Sequence, residues 1–334
     1  MQEVAERAGV TKQTVSNVVS GRGRVSTATA ARVQAAIDEL GYVPNLVARS
    51  LATGATMTVA LVVPSVANPF YSEVVEEVEN ALREQGYHLL LGTTRQDAGR
   101  ARELLTSLAG RSVDALLIAG DHDLEDHLAL LADARFPVAL CAWENDIPHT
   151  LPVVTIDYDN GGFLAGRHLR ELGHERIAVV AEMPHHAPRV EGARRAFARD
   201  GLTIPDEAIF VSDPSRPEHE FEVAEQVFDS SLRLTAVFAT RDVLALRILE
   251  AARLRGLAVP GDISIVGFDD IAEVGSAHPP LTTVAIPTRS MARQSVELLL
   301  RSVADSMRPD NTMSLLRPRL IVRSSTGPAP RAAD

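Results

Sequence analysis

The sequence predicts a small all-α helix-turn-helix head with a short fourth helix, then a large α/β body of two doubly wound parallel-sheet lobes. Three observations carry this. The first 56 residues hold short amphipathic helical runs and no strand-like run. From Met57 onward, apolar strand-like runs alternate with amphipathic helical ones. That alternation restarts after Asp157. Alternating strand and helix implies parallel sheets covered on both faces, and two such series imply two lobes.

The bulk numbers fit this division. The 334 residues are too many for one ordinary core. Hydrophobic residues make up 46%, a globular value. No apolar run reaches the ~18 residues of a bilayer span. The segment Met1–Arg7 lacks a basic stretch followed by an apolar one, so it does not read as a secretory signal. Cys141 is the single cysteine, which excludes an internal disulfide framework and a multi-cysteine metal site. A cytoplasmic location is the expectation. Net charge is −11, but it is unevenly spread. Residues 1–56 carry six Lys/Arg and four Asp/Glu, a surplus of +2, so the body carries −13. A slightly basic head on an acidic body suits a chain whose head alone meets phosphates.

In the head, residues 1–8 read as a helix with Val4, Ala5 and Ala8 on one side. Thr11 caps a second helix from Lys12 to about Val19. Two steeply crossing helices need a small residue at the contact, a residue tolerant of positive φ in the turn, and an apolar anchor. Ala5, Gly9 and Val15 supply these in order. The second helix would expose Lys12, Gln13, Ser16 and Asn17. Gln and Asn pair with adenine, and Lys reaches guanine or phosphate. Thr14 and Ser16 can donate to phosphates. From these residues alone an ordinary polar helix face is an equal alternative. A third helix runs from Ser26 to Leu40, with Val33, Ile37 and Leu40 as its apolar stripe and Gly41 ending it. After Pro44, Asn45 can cap a fourth segment, Leu46 to about Ala52, too short to be stable alone in water. Residues 53–56 read as a linker.

In the body, the predicted elements run in order. They are strand Thr58–Pro64, helix Pro69–Gln85, strand His88–Leu91, helix Ala98–Leu108, strand Ala115–Ala119, a helix near 124–131, and strands Val138–Ala142 and Val153–Ile156. The second series is helix Gly161–Leu172, strand Ile177–Ala181, helix Arg189–Arg199, strand Ile209–Val211, helix Pro217–Phe228, strand Ala236–Ala239, helix Asp242–Leu254 and strand Ile263–Phe268. Ligands of this architecture sit in the crevice outside the carboxyl ends of the strands. The crevice candidates are therefore Asn68, Phe70 and Tyr71 after the first strand, and Trp143 after Val138–Ala142. His185, His186 and Arg189 follow Ile177–Ala181; Phe238, Arg241 and Asp242 lie at the end of Ala236–Ala239; and Asp269 follows Ile263–Phe268. Aromatics with Arg and Asp suit a flat, hydroxyl-rich ligand, either a sugar or a nucleobase. Packing at a helix start is the alternative for Phe70 and Tyr71.

Several runs together resemble the LacI/GalR family. In the head they are Val4-Ala5-Glu6-Arg7-Ala8-Gly9-Val10-Thr11, Gln13-Thr14-Val15-Ser16, Leu40-Gly41-Tyr42-Val43-Pro44-Asn45 and Val47-Ala48-Arg49-Ser50-Leu51. In the body they are Asn68-Pro69-Phe70-Tyr71, Leu172-Gly173-His174-Glu175-Arg176-Ile177, Ile263-Ser264-Ile265-Val266-Gly267-Phe268-Asp269-Asp270 and Pro280-Leu281-Thr282-Thr283-Val284. The resemblance implies a DNA-binding repressor acting as a homodimer on a palindromic operator, with a periplasmic-binding-protein-like sensor body whose chain crosses between lobes three times. It implies DNA contacts from Thr11, Lys12, Gln13, Thr14, Ser16, Asn17, Arg24, Asn45, Ala48 and Arg49. It also implies a hinge helix at 46–52 whose Leu51 wedges a central base step; burial of Leu51 against the body is the alternative. Effector contacts would come from Asn68, Phe70, Tyr71, Trp143, His185, Arg189, Phe238, Arg241 and Asp269.

The implied domains are 1–45 (helix-turn-helix), 46–56 (hinge helix and linker) and 57–326 (sensor). The sensor divides into 57–158 plus about 288–310, and 159–287 plus about 311–326; the tail at 327–334 is Pro- and Ala-rich and reads as disordered. Asn17 stands where relatives most often have Arg, Arg241 where they have Asn, and Ala142 where many have Asp. An Arg at 241 points toward an anionic effector.

Two rivals are weaker. An enzyme lacks support from any Gly-x-Ser-x-Gly, Gly-x-x-x-x-Gly-Lys or Gly-x-Gly-x-x-Gly run. A plain solute-binding protein leaves the head unexplained. Asp121-His122-Asp123 with His127 reads as a solvated loop and helix start rather than a metal cluster, so neither metal nor cofactor is expected. No heptads follow the body, so a dimer is expected rather than a coiled-coil tetramer.

Overall fold

The computed structural model describes residues 1–20, 23–42, 55–95, 97–109, 113–120, 136–144, 151–213, 216–305 and 312–330. It divides into two units, 1–56 and 57–334.

The head is built from α1 (Gln2–Ala8), α2 (Lys12–Ser20) and α3 (Thr27–Glu39). Its core is Val4, Ala5, Ala8, Val15, Val33 and Ala36. Gly9 closes α1 in the left-handed region at φ 63°, where a side chain would be strained. Arg32 of α3 donates to the Ala8 carbonyl at 2.8 Å, so it satisfies a carbonyl that α1 leaves open at its end. Ser26 caps α3 by accepting from Thr29 N at 3.2 Å. Leu40 does not join the stripe as expected. It is the C-cap of α3 and 43% exposed, while Ala36 fills the inward position. The expected hinge helix at 46–52 lies outside the described residues.

The body holds two six-stranded sheets. The first contains β1 (Thr58–Val63), β2 (His88–Thr93), β3 (Ala115–Ala119), β4 (Val138–Cys141), β5 (Val153–Ile156) and β11 (Met313–Leu316), in the order β11-β5-β4-β3-β1-β2, all parallel. With α4 (Pro69–Glu84), α5 (Ala98–Ala109) and α11 (Thr288–Asp305) it makes lobe 1. The second contains β6 (Ile177–Ala181), β7 (Ile209–Val211), β8 (Ala236–Ala239), β9 (Ser264–Asp269), β10 (Thr282–Ala285) and β12 (Arg319–Ile321), in the order β12-β10-β9-β8-β6-β7. Only β12 runs antiparallel. With α6 (Tyr158–Glu171), α7 (Ala187–Ala198), α8 (Pro217–Asp229), α9 (Asp242–Leu254) and α10 (Ala272–Ser276) it makes lobe 2. The central strands are buried along nearly their whole length. That is why they read as unbroken apolar runs rather than as alternations.

The chain crosses between lobes three times, at 156–158, 285–288 and 316–319. The helix over 288–305 packs on β3, β4 and β5 of the first sheet. The segment from 311 does not go wholly to lobe 2: Met313–Leu316 pairs in register with Val153–Ile156 of lobe 1 before the third crossing. A short strand carries no periodicity of its own to say which sheet it joins. The tail is also more ordered than its composition suggests. Gly327 accepts from His174 Nε2 at 3.0 Å and donates to Ser264 Oγ at 3.1 Å, and Ala329 N donates to the Leu172 carbonyl at 2.9 Å. Residues 331–334, the helix near 124–131 and the Asp121–His127 stretch lie outside the described residues. Among those described, no helix is long and apolar enough to cross a membrane and no metal-ligand group forms.

Candidate nucleic-acid face and effector cleft

On the head, Thr11 Oγ1 accepts from Thr14 N at 3.1 Å and so caps α2. This sets Lys12 and Gln13, both exposed, in its first turn. Gln13 Nε2 donates to Asn17 Oδ1 at 3.1 Å, so two amides one turn apart form one polar strip. Thr14, Ser16 and Asn17 are half-buried beside it, and Arg24 is exposed between α2 and α3. Asn45, Ala48, Arg49 and Leu51 fall outside the described residues.

In the body, the strand ends of both sheets converge on one crevice. Lobe 1 brings Pro64, Ser65, Asn68, Phe70, Tyr71, Ala142 and Glu144. Lobe 2 brings Glu182, His186, Arg189, Arg241 and Asp269, and Tyr158 lies where the chain first crosses. Asn68 caps α4 by accepting from Phe70 N at 3.1 Å, which fixes the paired rings of Phe70 and Tyr71 edge to face at 5.1 Å. The space left between these side chains is about 30 Å³, room for a water or two.

Charge fills the rest. Arg189 Nε donates to both Glu144 oxygens at 3.0 Å, and its Nη2 donates to Oε2 at 2.7 Å. Its Nη1 reaches the Thr240 carbonyl and lies 3.7 Å from Asp269 Oδ1. The guanidinium centre is 4.3 Å from the Phe268 ring and 4.6 Å from the Tyr158 ring. Glu144 belongs to lobe 1 and Arg189 to lobe 2, so this forked, buried pair spans the crevice. Burial alone would weaken the Arg189 charge, but Glu144 and Asp269 hold its pKa above the ordinary Arg value. Removing one partner of such a pair strands the other charge, at a cost of ~3–5 kcal/mol. Arg241 pairs with Glu182 and lies 3.3 Å from Glu220. His186 Nδ1 meets Thr240 Oγ1 at 2.7 Å, and its Nε2 is 3.7 Å from Glu182.

Asp242 organises the floor. It accepts from Asp270 N at 2.7 Å, Ile271 N at 3.0 Å and Thr283 Oγ1 at 2.6 Å. These bonds hold the end of β9, where Asp269 and Asp270 both take positive φ, 116° and 66°. A non-glycine residue rarely adopts such a backbone, and here it places the Asp269 carboxyl at the crevice. Burial pushes Asp242 up to about 7 despite its three donors. It pushes Asp269 well above the ordinary Asp value against the pull of Arg189, and the Asp242 charge adds to the rise. Arg189 itself is set by glycines. A Cβ on Gly162 of α6 would stand 1.9 Å from the Arg189 carbonyl, and one on Gly192 of α7 1.9 Å from the Asp159 carbonyl.

Of the nine effector contacts the resemblance implies, six line the crevice, Asn68, Phe70, Tyr71, Arg189, Arg241 and Asp269, as does the further crevice candidate His186. Three do not. Trp143 is fully buried behind the sheet with Leu140 and Val153. Ala142 turns into the left-handed region at φ 52°, so Glu144 lines the crevice and Trp143 does not. Phe238 sits inside β8 and is fully buried in the core. His185 is half-buried away from the lining, and its neighbour His186 takes the place. Sequence reasoning missed Glu144 and Glu182 as crevice residues. A charge directly after an apolar strand, as in Ile177–Ala181 then Glu182, is the signal that finds Glu182; Glu144 stands three residues past its strand.

Two family models match: bacterial regulatory proteins of the lacI family over residues 1–45, and a periplasmic binding protein-like domain over 167–326. A helix-turn-helix head with a sensor-type body defines a transcription regulator, and the relatives narrow the class. The chain is 34% identical to the HTH-type transcriptional regulator DegA of Bacillus subtilis (strain 168), covering 98% of this chain and 97% of the relative. It is 32% identical to catabolite control protein A of Priestia megaterium, covering 97% and 98%. It is 33% identical to the transcriptional repressor PurR of Photobacterium profundum, covering 97% and 98%. Among solved structures, the lac repressor dimer bound to operator and the anti-inducer ONPF is 27% identical with a TM-score of 0.84, covering 98% and 99%. The complex of the regulator CelR with cellobiose is 32% identical with a TM-score of 0.73, covering 97% and 98%. The chain belongs to the LacI family of DNA-binding transcriptional regulators, and these relatives are regulators rather than enzymes.

Proposed function

We propose that this regulator is a cytoplasmic repressor that binds a palindromic operator as a homodimer and releases or tightens it when a small molecule enters the body's crevice. The observation that carries this is the Glu144–Arg189 pair. It joins the segment after β4 of lobe 1 to the first turn of α7 in lobe 2 across the crevice, so a ligand arriving there must rework a contact that sets how the lobes meet. A ligand that binds two lobe arrangements unequally shifts their equilibrium by the difference, and operator affinity changes reciprocally. Sugar-like ligands suit the hydroxyl-binding mix of carboxylates, Arg189 and Arg241 beside Phe70 and Tyr71. CelR with cellobiose favours that chemistry, and the PurR relatives make a purine the second reading. Lys12, Gln13 and Asn17 read bases, Thr14, Ser16 and Arg24 meet phosphates, and Leu51 wedges the centre of the site.

Selection from randomised duplexes tests this reading. A palindrome with half-sites about one helical turn apart is the expected result, and no enriched sequence at low salt overturns it. Leu51→Ala should weaken retention of that palindrome by roughly a hundredfold, the scale of a few kcal/mol. Unchanged retention sinks the wedge.

A further inference from the structure

The crevice carries two arginines, and neither offers its charge. Arg189 is engaged by both oxygens of Glu144 and by the Thr240 carbonyl. Arg241 is engaged by Glu182 and Glu220. Against these two cations the lining sets three carboxylates, Glu144, Glu182 and Asp269. An Arg at position 241 taken alone points toward an anionic effector, and the geometry reverses that. An incoming carboxylate or phosphate has to expel an acid from an arginine and leave it buried without a counter-charge.

Two polar groups at the same crevice are under-used. Asp269 is 4% exposed, and among the described residues the cation paired with it is Arg189 at 3.7 Å, with the charge of Arg241 acting from farther off. The Arg189 distance is beyond hydrogen-bond reach. The Nε of Arg241 is buried and has no hydrogen-bond partner among the described residues. One needs a donor, ideally a charged one, and the other needs an uncharged acceptor such as a hydroxyl oxygen. The lining rings of Phe70 and Tyr71 favour a cation over an anion, because an aromatic face is negative.

We infer that the effector is a polar amine, of the amino-sugar type, whose charged nitrogen meets Asp269 while its hydroxyl oxygens serve Arg241. This rests on the crevice being the effector site and names the ligand's charge. The sugar acids and nucleotides that an arginine-bearing crevice suggests are disfavoured by the acids already on those arginines.

The test is calorimetric titration of the full chain with matched probes: glucosamine, galactosamine and mannosamine, their parent hexoses, and the corresponding uronates. At least one amine should bind tenfold or more tightly than its parent hexose, and the uronates should bind most weakly. Asp269→Asn should erase the tenfold advantage. If that variant does not fold, the order of the probes on the unaltered protein still decides. A uronate or hexose that equals or exceeds its amine overturns the inference and leaves the crevice as the effector site. Silence from every amine also overturns it. Failure to retain any DNA sequence, scored on the same preparation, counts instead against the regulator reading.

Discussion

Lobes 1 and 2 share an architecture but supply different things to the crevice. Lobe 1 gives a preset aromatic pair, Phe70 with Tyr71, and one acid, Glu144. Lobe 2 gives the charged network of Arg189, Arg241, Glu182 and Asp269, and Asp242 braces the strand end that carries Asp269. The difference follows from support. In lobe 1, the Asn68 cap sets the rings and the left-handed turn at Ala142 sets Glu144. In lobe 2, Arg189 also rests on the Thr240 carbonyl, Arg241 on Glu220, and the backbone after Asp269 on Asp242, so the frame of the site is fixed before any ligand arrives, which is what selective recognition requires. Lobe 2 therefore reads as the selector and lobe 1 as the closing face.

The largest effect should come from breaking the one contact that unites them. Arg189→Ala strands Glu144 and Asp269 in a buried setting, and the loss should be ~3–5 kcal/mol, read by urea unfolding of the purified chain. It should also abolish the response of operator binding to effector. A loss under ~1 kcal/mol, the scale of an exposed pair, would make the cross-lobe pair incidental.

The next test addresses the support in lobe 2. Asp242 is raised in the folded state to about 7 from an ordinary 3.8, so between those values the folded chain binds the extra proton. Its contribution to stability is greatest at the acid end, declines as pH rises from ~4 to about 7, and is flat above. Asp269 is shifted the same way. Asp242→Asn keeps an acceptor for the two backbone amides and removes the titration. The stability of that variant relative to wild type should therefore climb across the interval, by up to ~1.4 kcal/mol per pH unit. A parallel pair of stability curves from pH 4 to 8 would contradict the assignment.

A smaller effect concerns how lobe 2 aims Arg189. Gly162→Ala drives a methyl into the Arg189 carbonyl, and α6 and α7 must separate. Overpacking of this kind costs ~1–3 kcal/mol. Effector affinity should fall more than the loss of stability alone accounts for. Gly201, at φ 74° with open space around its Cβ position, is the control: alanine there strains the backbone without touching the crevice, so effector affinity should hold.

Much of this was legible in the sequence. Strands such as Ile177–Ala181 and Ala236–Ala239 have the predicted bounds, because buried parallel strands are apolar throughout and end at a sharp change of character. Asp269, the last residue of its strand, and Arg189, in the first turn of the helix after Ile177–Ala181, were read as crevice candidates from their place in the strand–helix series, and both lie on the crevice lining. Trp143 misled because side-chain direction at a strand end depends on one backbone angle, the positive φ of Ala142, and composition does not report it. The strand Met313–Leu316 was assigned to the wrong lobe because its partner, Val153–Ile156, is far away in the chain. The tail's Pro- and Ala-rich run concealed an anchor, since its bonds come from backbone groups and from His174.

The smallest expected effect sharpens the comparison best. Arg293 and Glu84 in lobe 1 meet at 3.0 Å, about the spacing of the Arg189–Glu144 bonds, but their side chains are 50% and 56% exposed against 7% and 4%. Water competes for the outer pair and salt screens it, so Arg293→Ala should cost only ~0.2–1 kcal/mol, shrinking further at high ionic strength. The same two residue types thus predict opposite sensitivities. Arg189→Ala should be large and almost indifferent to salt, and Arg293→Ala small and salt-dependent. Equal losses for both, measured by urea unfolding at two ionic strengths, would show that burial is not what distinguishes the crevice pair, and the division into selector and closing face would lose its physical basis.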